Sequence, residues 1–395
     1  MAVAPTHSRL AAFSAGGLDV EVHLWDIPYL VPFRIARPDP NEESSRTAFV
    51  HITDRATGLE GWGEGCADPY YGDTPETIAA VAPLLFSVAL PAIEAALAEA
   101  GGATTGAGYA SARGLSGIRG RSADALAPMS AAMDLALGHH GAAKSAIEQA
   151  LQDLLARSAN TSLRRFLGAP ESIGHTNLTI GIAPIDTIVE RAAAATKYPS
   201  LKLKVGLGGE EELLRRVREV YQGPLRLDAN CGWSLERAVE LLPLIERSNV
   251  ELLEQPLQPG RIKNMAALAA ATEIPVIADE DCIEYDDIAE LVGLVDGVNL
   301  KQVKIGGLGP SLRGFRQAES LGLRRMFGSM VETKLGTAGA AAVAGAAEFL
   351  DLDGPIGLIG DPFTGLDLDD GCCWILDDFQ PGSGVRFSYE ERPSD

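Results

Sequence analysis

Apolar and polar residues change rhythm along this chain of 395 residues. Over 18–28 and 46–54 they alternate closely enough to predict strands, and Gly58-Leu59-Glu60-Gly61-Trp62-Gly63-Glu64-Gly65 reads as a turn into a third strand of a meander. Residues 74–99 are rich in Ala, Leu and Glu and predict a helix; residues 141–157 carry a strong amphipathic pattern. A second rhythm begins near residue 176. Short apolar runs at 176–183, 201–205, 225–229, 250–254, 275–279, 297–301, 324–328 and 349–352 predict strands. Helical stretches lie between them, for example 210–221, 234–246, 284–292 and 334–347. That alternation has the logic of a parallel sheet. Gly101 to Arg121 has no periodicity and many Gly, Ser, Thr and Arg, and reads as a mobile surface insertion. The tail from about 356, rich in Asp, Gly and Pro, is expected to pack back on the N-terminal part.

Three of the predicted strands end in an acid: Asp228, Glu254 and Asp279, spaced by 26 and 25 residues. A strand, a helix and two loops need about that many residues in an eightfold barrel of ~250 residues. The three carboxylates are therefore expected at the C-terminal tips of successive barrel strands, close together. Like charges so placed repel one another unless a cation sits between them, and an all-oxygen set suits Mg²⁺ better than zinc. Lys202 and Lys204 lie two apart on one strand and point the same way. Lys301 ends the next apolar run after Asp279, with Lys304 nearby should the register slip. Lysines on opposite sides of a barrel mouth would face a ligand from two directions. The histidines are His7, His23, His51, His139, His140 and His175, so none falls within the later barrel strands. Proton transfer at the mouth must then use another group, and lysine is the evident one.

Composition narrows the partners. With 33 basic and 54 acidic residues the formal charge is −21, which argues against nucleic acid or an anionic membrane. No basic flank followed by an apolar core opens the chain, so no signal peptide is expected. No apolar run is read as approaching about 20 residues, so no membrane-spanning helix is expected. Five cysteines, an odd number without metal-type spacing, favour reduced thiols in the cytoplasm.

Taken in order, Lys-x-Lys, Asp-Ala-Asn, Glu-Gln-Pro, Ala-Asp-Glu and Asn-Leu-Lys-x-x-Lys-x-Gly-Gly resemble the muconate-lactonizing-enzyme subgroup of the enolase superfamily. Gly61-Trp62-Gly63-Glu64 and Gly328-Ser329-Met330-Val331-Glu332 extend the resemblance over nearly the whole chain. It implies an α/β fold: a (β/α)7β modified TIM barrel over 141–355, under an N-terminal α+β capping domain over 1–140 completed by the segment 356–395. It implies one Mg²⁺ per subunit on Asp228, Glu254 and Asp279. It also implies Lys204 and Lys301 as an acid/base pair on opposite faces of a bound carboxylate, with Lys202 assisting by charge and hydrogen bonding. Asn230 and Glu280 follow metal-ligand positions and are expected to support the ligands from behind. Glu332 fits either a site residue or a buried ion-pair partner. Arg34 and Arg37 fit either a cap loop that reaches the substrate or plain surface charges. Asp281-Cys282 departs from the family pattern, where Ser is frequent.

The chemistry follows physically. Removing a proton α to a carboxylate leaves concentrated negative charge, which a divalent cation on the carboxylate oxygens stabilises as it forms. A lysine base must be neutral part of the time, and burial, the cation and a neighbouring lysine are expected to lower its pKa. The subgroup contains cycloisomerases, o-succinylbenzoate synthases, N-acylamino acid racemases, dipeptide epimerases and dehydratases. Asp351 and Asp353, on one face at the end of the predicted eighth strand, resemble the motif with which dipeptide epimerases bind a free α-amino group. Thr179, in Thr179-Ile180-Gly181-Ile182, is also similar to such epimerases. The expected activity is Mg-dependent 1,1-proton transfer at the α-carbon of the C-terminal residue of a dipeptide, a small-molecule substrate, by a homo-oligomer. An N-acylamino acid racemase or a cyclic amino acid dehydratase is the alternative. A binding barrel without catalysis would not need Lys204 and Lys301.

Overall fold

In the computed structural model, which describes residues 4–38, 42–100 and 115–389, two sheets organise the chain. The first is an antiparallel meander of β1 (Thr6–Ala15), β2 (Leu18–Pro28), β3 (Ser44–Asp54) and β4 (Glu60–Gly65). The last three are the expected strands. Strand β1 was not anticipated. The helix Pro75–Glu99, capped by a reciprocal Thr74–Thr77 box, buries Ile78, Ala82, Leu85, Phe86, Ala89 and Ile93 in the hydrophobic core shared with β1–β3. By length and composition this helix is long and apolar enough to cross a bilayer, which corrects the expectation that no run approaches that length. Those buried side chains belong to the hydrophobic core of the cap.

The helix Gly141–Ser158 lies directly on β4. Gly61 and Gly63 permit the approach: a Cβ on Gly63 would stand 2.0 Å from the Ala146 carbonyl oxygen.

The second sheet contains β5 (Leu178–Ile180), β6 (Leu201–Lys204), β7 (Leu225–Asp228), β8 (Val250–Glu254), β9 (Val276–Ala278), β10 (Gly297–Leu300), β11 (Arg324–Gly328) and β12 (Phe349–Asp351), parallel and in sequential order. A parallel bridge between Thr176 and Leu350 joins the two ends, so the sheet closes as a barrel. Helices separate consecutive strands. Among the described residues no α-helix follows β12; a tight turn over Gly354–Gly357 stands there. The fold is the expected (β/α)7β barrel under an antiparallel cap.

After that turn the tail returns to the cap. Arg386–Phe387 pairs with Phe363–Thr364, and the rings of Phe387 and Tyr389 pack on Trp25, with Phe387 also stacked on Trp62. Of the insertion expected over 101–121, residues 101–114 lie outside the described residues. Its end is not a mobile loop: Leu115–Ile118 is helical, with Leu115 and Ile118 buried. The helix expected over 284–292 shortens to Asp287–Glu290.

Candidate active site

Register places the chemistry. Lys204, Asp228 and Glu254 are paired neighbours on β6, β7 and β8, so they share one layer of the barrel interior at the C-terminal end of the strands. Asp279 stands one residue beyond β9, and Lys301 one residue beyond β10. Lys204 Nζ lies 2.6 Å from Asp228 Oδ2. Lys202 Nζ reaches three acids, at 2.7 Å from Glu254, 2.7 Å from Asp351 and 3.1 Å from Asp228. Lys301 Nζ lies 2.9 Å from Asp279 Oδ2, and Lys304 holds the other oxygen of that carboxylate at 2.5 Å. Strands β6 and β10 are four places apart in the eight-stranded ring, so Lys204 and Lys301 approach the mouth from opposite walls.

These groups are buried, and burial sets their electrostatics. Burial, reinforced by the charges of Asp228 and Asp279, pushes the Glu254 carboxyl up to about 8. For Asp228 and Asp279 burial acts in the same direction, but Lys204 and Lys202 on the first, and Lys301 and Lys304 on the second, outweigh it and hold both below the ordinary carboxylate range. Burial also disfavours the ammonium of Lys202 and of Lys301. Asp351, Glu254 and Asp228 reverse that for Lys202, and Asp279 with Glu254 for Lys301, so both lie above the usual lysine value. The expectation of lowered lysines is therefore not met by the protein's own groups for these two. A neighbouring lysine is a weaker influence here than carboxylates within 3 Å.

Above these groups lies a cavity of about 420 Å³, lined by Lys202, Lys204, Lys301, Asp351 and Asp353 at its floor. A cap segment between β2 and β3 roofs it. The Leu30 N–H donates to the Gly357 carbonyl at 2.7 Å, and the Ile182 N–H donates to the Arg34 carbonyl at 2.8 Å, so the segment is tied on both sides of the mouth. Two family models match this architecture: "Enolase C-terminal domain-like" over residues 186–392, and "Mandelate racemase / muconate lactonizing enzyme, N-terminal domain" over residues 20–168. The chain belongs to the enolase superfamily. It is similar to an L-Ala-D/L-amino acid epimerase from Flavobacterium johnsoniae, 34% identical over 57% of this chain and 67% of that protein. It is equally similar to a hydrophobic dipeptide epimerase from Roseobacter litoralis, 34% identical over 62% of this chain and 74% of that one. Among solved structures, the dipeptide epimerase of Cytophaga hutchinsonii, complexed with Mg and D-Ala-L-Val, matches with a TM-score of 0.78 at 26% identity, covering 93% of this chain and 95% of that one.

The other residues expected at this superfamily site fall into distinct places. Asp351 and Asp353 both line the cavity, although Asp353 lies past the end of β12. Burial and the neighbouring Asp351 push the Asp353 carboxyl up to about 7. Thr179 serves these two acids: its N–H donates to Asp353 at 2.5 Å and its hydroxyl to Asp351 at 3.0 Å. The Asn230 side-chain amide donates to Glu280 at 3.3 Å, and its N–H donates to Asp228 at 2.9 Å. Glu332 is fully buried. It is absent from the cavity wall and from the ion pairs among the described residues; it accepts from Gln302 at 2.7 Å, beside Lys301, and burial with Glu64 nearby raises it to about 8.

The two cap arginines divide. Arg34 is exposed and pairs with Glu42 at 3.3 Å. Arg37 is engaged by Glu280 at 2.5 Å and Asp68 at 3.0 Å, with its guanidinium 4.4 Å from the centre of the Tyr70 ring. The unusual Asp281 accepts from the Gln255 amide at 2.8 Å and from the Gly260 N–H at 2.7 Å, joining the loops that follow β8 and β9.

Sequence reasoning missed Asn299, whose amide donates to Glu254 at 2.8 Å, and Asn177, which donates to Asp351 at 2.6 Å. Asn299 carried a signal: it stands two residues before Lys301 on the same strand face. Lys304 appeared only as a register alternative; it is a separate buried partner of Asp279.

The donor set fits a hard divalent cation. Among the described residues no three acidic, histidine or cysteine side chains are already drawn together as a cage, because lysine ammonium groups stand between the acids. Yet Asp228 and Asp279 are close enough to raise Glu254 by repulsion, and Glu280 Oε2 is buried without a hydrogen-bond partner. Oxygen donors alone, three of them mutually repelling, suit Mg²⁺.

Proposed function

We propose that this chain is an isomerase that epimerises the C-terminal residue of a dipeptide. One observation carries the reading: Lys204 and Lys301 face each other across the ring, while Asp351 and Asp353 line the same cavity from a third direction. Two opposed lysines suit proton removal from one face of an α-carbon and return to the other. The acids at β12 suit a free ammonium group at the other end of the substrate. Relatives that carry the words dipeptide epimerase support the same reading.

Asp228, Glu254 and Asp279 would hold Mg²⁺, which supplies charge stabilisation to a carboxylate losing its α-proton. The chain's own groups do the rest. Asp351 and Asp353, oriented by Thr179, hold the ammonium group. Lys301, kept as an ammonium by Asp279, is poised to donate a proton, and Lys204, on the opposite wall, is placed to accept one. Lys202, tied to three acids, fixes the floor of the site. The roof from β2 to β3 limits water.

The test is proton exchange in D2O, followed by mass spectrometry, with free L,L-dipeptides and with their N-acetyl counterparts. Loss of one charge-assisted contact costs ~1.5–3 kcal/mol, so the free dipeptides should exchange at least about tenfold better. Equal or better turnover of the N-acetyl compounds would favour the N-acylamino acid racemase and reject this reading.

A further inference from the structure

A (β/α)7β barrel lacks the helix that would cover the seam between its last and first strands. Here the tail covers only part of that seam. The Trp374 indole N–H donates to the Leu352 carbonyl at 2.9 Å, and the Thr176 N–H donates to the Cys372 carbonyl at 2.9 Å. Past those contacts the mouth cavity continues into the seam, between Leu178, Ile180, Ala195, Tyr198, Ile356 and Gly357. Side chains alternate along a strand. The Thr179 hydroxyl points inward to Asp351, so Leu178 and Ile180 point out, toward the helix Ile185–Ala194. The Leu30 N–H ties the cap to this end of the chamber through its bond to the Gly357 carbonyl. The chamber is apolar, with Asp353 at its inner end and Arg191 also on its wall.

Resting on the dipeptide reading above, we propose that this chamber receives the side chain of the substrate's N-terminal residue, and that the enzyme selects dipeptides in which that residue is large, neutral and apolar. An ammonium group on Asp353 leaves its own α-carbon one bond away, at the entrance to the seam. The peptide must run from there toward Lys204 and Lys301, which leaves the side chain the other direction. A cationic side chain would meet Arg191, and a charged side chain of either sign would exchange water for walls that are mostly apolar. Apart from Arg191, the walls supply mainly apolar contact, where each added methylene is worth ~1–3 kcal/mol of discrimination, or about 10–200-fold.

Gly357 gives the test its variant. A Cβ there would meet nothing within 4 Å, and its backbone is not in the left-handed region, so Gly357→Leu adds bulk at the chamber wall without a Cβ clash or backbone strain. The probes are L-Leu-L-Leu, L-Ala-L-Leu, L-Glu-L-Leu and L-Lys-L-Leu, with α-proton exchange read in D2O at saturating Mg²⁺. The wild type should favour L-Leu-L-Leu over L-Ala-L-Leu in kcat/KM by at least about tenfold, with the charged pair no better than L-Ala-L-Leu. Gly357→Leu should collapse the Leu-to-Ala ratio to about one. Equal or better turnover of L-Ala-L-Leu by the wild type overturns the chamber while leaving the dipeptide reading standing. So does a ratio unchanged in a folded Gly357→Leu. Exchange of none of the dipeptides overturns both. The wild-type series decides alone should the variant fail to fold.

Discussion

A buried ammonium within 3 Å of a carboxylate is a poor base, so Lys202 and Lys301, both held above the usual lysine value, become useful as bases only when the balance around them changes. The placement of the mouth lysines still makes a sharp demand. If Lys204 and Lys301 serve opposite faces of one α-carbon, Lys204→Ala and Lys301→Ala should each lower epimerisation by at least about a thousandfold, toward the upper range for loss of a general acid or base. Each variant should retain wash-out of the α-proton from one stereoisomer only, and not the same one. Normal turnover by either variant in both directions would remove the two-base assignment. Asp353 makes a second demand. Its folded-state pKa of about 7 lies above the ordinary 3.8, so between those values the folded chain holds a proton that the unfolded chain does not. Its contribution to stability therefore falls as pH rises through that window. Asp353→Asn keeps an acceptor for the Thr179 N–H and removes the cost. Urea melts should show the variant gaining on the wild type from pH 4 to pH 8; a gap independent of pH would place the burden elsewhere. The acids and lysines were legible because each ends an apolar run at a regular interval. Their partners were not. The Arg37–Glu280 contact spans 243 positions, and nothing local to either residue announces the other.

At the scale of elements, the barrel strands were legible as short segments at regular intervals: β9 is a continuous apolar run, while β6 and β7 alternate leucine with charged residues and are buried throughout. Strand β1 was not, because most of its residues are exposed or half-buried, and Thr6-His7-Ser8-Arg9-Leu10-Ala11 shows no apolar alternation. What holds it is pairing with β2 through nine positions and the stacking of His7 on Trp25. Contact between elements was also hidden. Gly61-Trp62-Gly63-Glu64 served as a family motif, but its glycines have a mechanical reason: β4 and the helix Gly141–Ser158 meet backbone to backbone. Gly63→Ala would set a methyl 2.0 Å from a carbonyl oxygen and 2.7 Å from the Ala150 nitrogen, neither of which is a flexible side chain. Overpacking of that kind costs ~1–3 kcal/mol or more. Thermal unfolding should move down by several degrees, with the cap's tryptophan signal changing first. An unchanged midpoint would mean that the contact between β4 and this helix is softer than the distances require.

Over the whole molecule the formal charge is −21, and the mouth acids Asp228, Glu254 and Asp279 add negative charge that is buried away from water and so needs cations to compensate it. Inside the barrel Lys202, Lys204, Lys301 and Lys304 do so by contact. A divalent cation on Asp228, Glu254 and Asp279 would take over part of that task, and ammonium groups no longer required for neutrality would lose protons more readily. Three linked outcomes are expected when Mg²⁺ is titrated into the chelator-treated protein. Protons should be released near neutral pH, partly because Glu254, held at about 8, must ionise to serve as a ligand. The thermal midpoint should rise, since a ligand at a hundred times its Kd stabilises the folded state by ~2.7 kcal/mol. Epimerisation should disappear on chelation and return with Mg²⁺. Asp279→Asn should weaken all three together, because that carboxylate anchors Lys301 and Lys304 as well as the ion. Stabilisation and proton release without dependence of turnover on Mg²⁺ would separate the cation from the chemistry. Activity that survives exhaustive chelation would remove it from the reaction altogether.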